Sequence, residues 1–352
     1  MSQPHTENIP PSAGEPCFEN LLKVLRREVP DRPTLFEFFL NHRLYRRLAG
    51  EAWIESQGFD LVSNWRNLVV AFRAAGYDYA TIGGSAFHFP TIEQPRAATI
   101  SLNDCCTIID RSSFDAYVWP ETADFDYSAI ETVGRDLPRG MKFIVSGPGG
   151  LLENAIRLVG YETLCYLLVD DPQLVGDIFS EIGTRLIQHY EIVAASPRVG
   201  ACISNDDWGF KTQTMLSLAD MRKYVFPWHQ KIAATIHAVG KPVILHSCGR
   251  AAEVMEDIID TMHYDAKHSF EDTIQPVEEA YEEWGSRIAI VGGIDVDFMI
   301  RSSADEVYQR SRAMLERAAN RGGFALGTGN SVPDYIDDDK YLAMRRAAIE
   351  DR

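Results

Sequence analysis

Short β-branched runs alternate with long amphipathic stretches along most of this 352-residue chain, and no hairpin signal separates them. The runs are Lys142–Ser146 (KFIVS), Gly200–Ser204 (GACIS), Pro242–Leu245 (PVIL), Asp265–Ser269 (DAKHS), Arg287–Val291 (RIAIV) and Gly323–Leu326 (GFAL). Between them apolar residues recur at helical spacing, as in Ser217–Val239, where Met221, Tyr224, Val225, Trp228, Ile232 and Ile236 fall three or four apart. Ser217 with Asp220, and Ser303 with Glu306, have the spacing of capping pairs. Strands joined by helices rather than tight turns must run parallel, because a tight turn reverses the chain. Two earlier runs, Thr34–Phe39 (TLFEFF) and Asp78–Ile82 (DYATI), bring the count to eight, the number that closes a (β/α)8 barrel. No GxGxxG follows the first strand, which disfavours an open dinucleotide-binding sheet. The fold expected is α/β, a single (β/α)8 TIM barrel with an N-terminal extension. Residues 1–17 read as a disordered polar tail and 18–352 as one domain. Residues 85–140 fit the alternation less well, and Cys105–Asp110 reads there as an extra hairpin strand in a long insertion.

Charge and cysteine usage narrow the function. The formal charge is −17, with 34 basic against 51 acidic residues, which excludes a nucleic-acid surface and disfavours a membrane one. No apolar run is long enough to span a bilayer, and MSQPHTENIPPSAGEP lacks the apolar core of a signal peptide. The six cysteines are scattered, with no CxxC pair, so reduced thiols in the cytoplasm are expected. The composition leaves the oligomeric state open, a homodimer included.

Nearly every strand run ends in polar, glycine-bearing sequence, which in a barrel is where the active site lies. These ends carry Glu37, Asp206-Asp207-Trp208, His246-Ser247-Cys248, His268, Glu271-Asp272, Asp295 and Asn330. His246 and Cys248 are two apart, so both face the same side of a strand. Imidazole and thiolate together suit zinc, and equally describe a hydrogen-bonded histidine beside a small buried cysteine. A catalytic zinc needs a third ligand, for which Glu271, Asp206, Asp207 and His268 are the candidates. Asp206 and Asp207 read either as a general acid or as N-caps of the following helix. The glycine runs Gly147–Gly150 and Gly327–Asn330 read as ligand cradles or as tight turns, and neither is a P-loop.

LLKVLRREVPDRP, SNDDWGF, HAVGKPVILHSCG, HSFED, IVGGIDVD and GGFALGTGNSVPDY occur in that order. As an ordered set they resemble the uroporphyrinogen decarboxylase (URO-D) superfamily over residues 18–345. The resemblance implies a (β/α)8 barrel with its cleft at the strand ends. One branch, uroporphyrinogen decarboxylase itself, needs no metal and holds a polyanionic tetrapyrrole. That branch carries an arginine-rich MRQAGR motif after the first strand, an aspartate after the second and a closing GHG histidine. Here the matching positions hold Glu37 within FEFFLN, the acid-free run TIGGSAF, and Gly327-Thr328-Gly329. The other branch is that of cobalamin-dependent methyltransferases, whose thiol-activating members bind zinc through His-x-Cys on this strand and a distant cysteine near the last. His246 and Cys248 match the first two ligands, and the third falls at Thr328.

The resemblance therefore points to the methyltransferase-like branch. It implies methyl transfer between a small methylated or methoxylated substrate and a thiol or a corrinoid carried by a partner protein. His246, Cys248 and a supplementary Glu271 would hold zinc, and Asp206, Asp207 and His246 would be catalytic. Glu37, Trp208, His268, Asp295 and Asn330 would bind substrate. Two alternatives stand beside it: decarboxylation of a porphyrinogen, and a non-catalytic binding barrel that keeps only a partner surface.

Overall fold

A computed structural model describes residues 14–55, 60–91, 102–103 and 106–350. Cys105 and residues 1–13 of the expected tail lie outside this set. Residue 17 is docked: its amide donates to Asp78 Oδ1 at 2.7 Å.

Among the described residues seven strands form one sheet in chain order: β1 (Tyr79–Ile82), β2 (Lys142–Ser146), β3 (Val199–Asn205), β4 (Val243–His246), β5 (Ala266–His268), β6 (Ala289–Val291) and β7 (Phe324–Ala325). Every neighbouring pair is parallel. The strands are buried almost throughout, because crossover helices cover the sheet. The expected first strand, Thr34–Phe39, is the exception. Leu35 makes a single parallel bridge to Leu326, with Phe36 N donating to Leu326 O at 2.7 Å and Leu326 N to Thr34 O at 2.8 Å. Past Phe36 no ladder forms, because the Glu37 backbone pairs with a side chain. Its amide donates to the Tyr79 hydroxyl at 2.7 Å, and that hydroxyl donates to the Glu37 carbonyl at 2.8 Å. The chain is thus a curled, TIM-barrel-like parallel sheet of seven strands, with the eighth segment held to β1 through one tyrosine.

The helices follow the sequence pattern with local departures. Ser303 and Glu306 form the expected capping box of Ala304–Ala318. Ser217 caps as read, but Ser217–Val239 is not one regular helix. A π-helical turn, Met221–Val225, precedes Phe226–Ala238, whose first turn contains Pro227 and so lacks an N–H for regular α-helical pairing. The extra strand expected at Cys105–Asp110 does not form in its described part, Cys106–Asp110. The Thr107 and Ile108 amides both donate to Leu158 O, at 2.8 and 2.9 Å, where a helix ends with unmatched carbonyls. Among the described residues no helix is long and apolar enough to cross a membrane.

Candidate metal centre and active-site cleft

The C-terminal ends of β3, β4, β5 and β7 bring together side chains that are distant in sequence. His246 ends β4 and His268 ends β5, in register with each other. Their Nδ1 atoms are 2.7 Å apart, and His268 Nε2 lies 3.2 Å from the Thr328 carbonyl. Burial holds both imidazoles neutral, pushing His268 down to about 3 and His246 well below its usual value. A carbonyl only accepts, so His268 Nε2 carries the proton and its Nδ1 is a lone pair. His246 Nδ1 must then donate to it, which leaves His246 Nε2 with a free lone pair. A second residue fixing the tautomer of a histidine is the arrangement found behind metal-ligating imidazoles.

That lone pair faces a thiol and a carboxylate. Cys248 Sγ lies 3.8 Å from His246 Nε2, and ligand atoms of Asp207, His246 and Cys248 all fall within 4.8 Å of one another. Asp207 is drawn in by the Cys248 amide, which donates to Asp207 Oδ1 at 3.0 Å. Burial, and then the Asp207 carboxylate, push the Cys248 thiol up to about 12. Asn330 Nδ2 and Ser269 Oγ donate to the sulfur at 3.3 and 3.4 Å, so two donors already stand ready for a thiolate. The set fits zinc chemically: one nitrogen, one sulfur and one oxygen, with two negative charges against two positive when all are deprotonated. Tetrahedral zinc sets its ligand atoms roughly 3.3–3.8 Å apart, so the widest pair needs about an ångström of closure.

The third candidate ligand is therefore Asp207, and Glu271 is not in the cluster. Glu271 follows β5 and lines the neighbouring cleft. Asp206 faces the other way and is fully buried. Its carboxylate accepts from the amides of Leu152 and Glu153, both at 2.9 Å, from Trp208 Nε1 at 3.0 Å and from His229 Nε2 at 2.9 Å. These ties anchor the N-terminus of helix Leu151–Val159. Gly150 is required there, since a Cβ would lie 2.2 Å from Asp206. Trp208 is 1% exposed and is held by Asp206, so it sits in the wall and not on a substrate face.

The other predicted residues divide similarly. Glu37 is fully buried and joins Thr328, not the cleft; its Oε1 accepts from the Thr328 amide at 2.7 Å, and burial raises it to about 8. Asp295 caps helix Val296–Arg301, accepting from Phe298 N at 2.6 Å, and also accepts from Asp272 N at 3.0 Å. Asp295, Asn330 and Glu271 border a cavity of about 470 Å³ at the ends of β5, β6 and β7. In the glycine loops, which the sequence offers as cradles or as tight turns, three amides are already engaged. Gly150 N donates to Glu153 Oε2, Thr328 N to Glu37, and Gly329 N to Ile294 O.

Two buried titratable residues beside the cluster were not singled out from sequence. Lys267 is 3% exposed, and burial lowers it to about 8. Its ammonium donates to the Ser269 carbonyl at 2.7 Å and lies 4.4 Å from the Phe270 ring centroid. A lysine in the middle of an otherwise buried strand was the available signal. Glu153 is raised to about 7 by burial and by the Asp206 and Asp207 carboxylates. It sits three residues after Gly150, the spacing of a capping box.

The comparisons with known proteins agree with this architecture. Residues 53–350 match the family described as uroporphyrinogen decarboxylase (URO-D). A protein of Streptomyces avermitilis named uroporphyrinogen decarboxylase is 23% identical over 303 residues, 81% of this chain and 75% of that one. One of the same name from Myxococcus xanthus is 25% identical over 179 residues, 50% of this chain and 48% of that one. Among solved structures, a methyltransferase from Methanosarcina mazei superposes with a TM-score of 0.67 at 14% identity, covering 94% of this chain and 97% of that one. With the ordered motifs, the parallel curled sheet and a family match across most of its length, the chain belongs to the uroporphyrinogen decarboxylase (URO-D) family.

Proposed function

We propose that this chain is a zinc-dependent methyltransferase of the family, moving a methyl group between a small methylated or methoxylated substrate and a thiol or a corrinoid held by a partner protein. The observation that carries the reading is the convergence of a tautomer-locked His246 Nε2, Cys248 Sγ and an Asp207 oxygen at the strand ends. These three residues would hold zinc, which supplies Lewis acidity toward an incoming thiol or a leaving oxygen. The protein's own groups do the rest. His268 and the Thr328 carbonyl keep the His246 lone pair directed at the site. Asn330 and Ser269 stabilise charge on the Cys248 sulfur. Glu153, raised to about 7 and close to Asp207, can carry a proton in the neutral range.

Metal analysis of the purified protein tests this directly. One zinc per chain is expected, lost in His246→Ala and in Asp207→Ala. His268→Ala, which releases the tautomer, should weaken zinc affinity about 10–100-fold without abolishing binding. Zinc-free protein that transfers methyl groups as well as the zinc-loaded form would overturn the metal assignment.

A second reading, decarboxylation of uroporphyrinogen, is favoured by the names of the two relatives. Against it, the described residues lining the 470 Å³ cavity include Glu271, Asp295 and Asp297 and no basic side chain, an environment that repels a polycarboxylate. Metal-free conversion of uroporphyrinogen to coproporphyrinogen by the purified protein would establish that reading in place of the first.

A further inference from the structure

Three consecutive residues of the first segment converge on the paired imidazoles. The Phe36 ring stands edge-on to His268 with centroids 5.1 Å apart, and the Phe38 ring lies 4.7 Å from that of His246. Between them Glu37 reaches Thr328, whose amide donates to Glu37 Oε1 at 2.7 Å and whose hydroxyl oxygen lies 2.8 Å from Oε2. Thr328 in turn presents its carbonyl to His268 Nε2 at 3.2 Å, and His268 Nδ1 meets His246 Nδ1 at 2.7 Å. The contacts run unbroken from Glu37 to the ring whose Nε2 faces Cys248 and Asp207.

This arrangement goes against the local preference of the segment. The apolar run TLFEFF favours a strand, yet the Glu37 backbone is engaged by the Tyr79 hydroxyl. Among the described residues the fully buried Glu37 carboxyl is hydrogen-bonded by Thr328 alone. Burying a carboxyl has a desolvation cost that leucine would avoid, and such departures collect where a site must be held. Thr328 lies between Gly327 and Gly329, so its flanking backbone has little restraint of its own. The Gly293 amide fixes its carbonyl at 2.9 Å, and Glu37 fixes its amide and hydroxyl. Gly327 permits the close approach, because a Cβ there would lie 1.7 Å from the Phe36 carbonyl oxygen.

We propose that the Phe36-Glu37-Phe38 segment is a positioning element for His246. Glu37 acts through Thr328 and His268 to fix the His246 tautomer, and the two phenyl rings fix the planes of the imidazoles. The inference rests on the metal reading for what the aimed nitrogen then holds.

Two-bond nitrogen–proton spectra of zinc-free, full-length protein carrying isotope-labelled histidine test it, with His246→Ala and His268→Ala assigning the signals. Wild-type protein is expected to carry the His246 proton on Nδ1 and the His268 proton on Nε2. Glu37→Gln, which accepts and donates at the same two atoms, should keep both tautomers, and Glu37→Leu should mix them, with unchanged circular dichroism as the folding control. On zinc titration Glu37→Gln is expected within about twofold of wild type and Glu37→Leu about fivefold or more weaker, short of the roughly 10–100-fold loss for a group touching the ligand itself. Phe38→Leu removes the ring against His246 and leaves every hydrogen bond in place, so it carries the test should Glu37→Leu not fold. It should weaken zinc about threefold or more without moving the tautomers. Wild-type tautomers in folded Glu37→Leu, wild-type zinc affinity in Phe38→Leu, or mixed tautomers in Glu37→Gln would each overturn the inference. Tautomers that follow Glu37 in protein that binds no zinc sink the metal reading alone. Zinc bound by protein whose tautomers are indifferent to Glu37 sinks the positioning role alone.

Discussion

The Thr328 hydroxyl has one proton and two oxygen neighbours, the Asn330 carbonyl at 2.6 Å and Glu37 Oε2 at 2.8 Å. The carbonyl can only accept, so it takes the hydroxyl proton, and Glu37 Oε2 must bring a proton of its own. Geometry and burial agree: the side chain is raised from 4.5 to about 8 and is protonated at neutral pH. Glutamine reproduces that pattern, accepting from the Thr328 amide and donating to its hydroxyl. The pH dependence follows with a definite sign. Between about 4.5 and about 8 the folded protein keeps a proton that the unfolded chain has lost. This contribution is full below the unfolded value and is lost as pH rises through the folded one, by up to about 1.4 kcal/mol per pH unit. Wild-type stability relative to Glu37→Gln should therefore fall steadily from pH 5 to pH 8 in equilibrium denaturation. A pH-independent difference would show that Glu37 is ionised in the fold. Sequence placed Glu37 at a strand end facing substrate; only its buried partnership with Thr328, 291 residues away, reveals the different role.

At the scale of elements, adjacent carboxylates serve different structures. The extended backbone after β3 sends neighbouring side chains in opposite directions, so Asp206 turns to helix Leu151–Val159 and Asp207 to the cleft. Asp206→Ala would orphan two helix amides, an indole N–H and an imidazole N–H together. A loss of at least about 3 kcal/mol is expected in urea unfolding. Asp207→Ala removes an acceptor for the Cys248 amide and thiol, so about 1 kcal/mol is expected, with the larger effect on metal content. Equal destabilisation by the two substitutions would contradict this division. The strand ends were legible from sequence because a buried run stops where polar residues and glycine begin. Which of two successive aspartates faces the cleft was not, since a shift of one residue exchanges the two faces.

For the whole molecule, the junction between the first segment and β1 is not a regular strand pairing. One tyrosine hydroxyl both accepts from and donates to the Glu37 backbone, where a ladder would supply several backbone bonds. Tyr79→Phe leaves the buried Glu37 amide and carbonyl without that partner, so a loss of about 1–3 kcal/mol is expected. Hydrogen exchange at the Glu37 amide should accelerate in this variant more than at amides of β3 and β4. Uniform acceleration would mean that the junction has no local role. The apolar run Thr34–Phe39 marks a strand in sequence. Pairing also needs backbone groups that are free to face a neighbour, and those of Glu37 are engaged by Tyr79.

The sequence by itself determined the parallel α/β architecture, the positions of the strand ends and the His246–Cys248 pair, because periodicity and turn chemistry are local properties of a chain. The tertiary structure alone decided that Asp207 and not Glu271 or Asp206 lies with His246 and Cys248, that His268 stands behind His246, and that Lys267 is buried. Those outcomes depend on how neighbouring strands register and curl. Burial and the tautomer of a buried imidazole are set by partners that sequence distance does not encode.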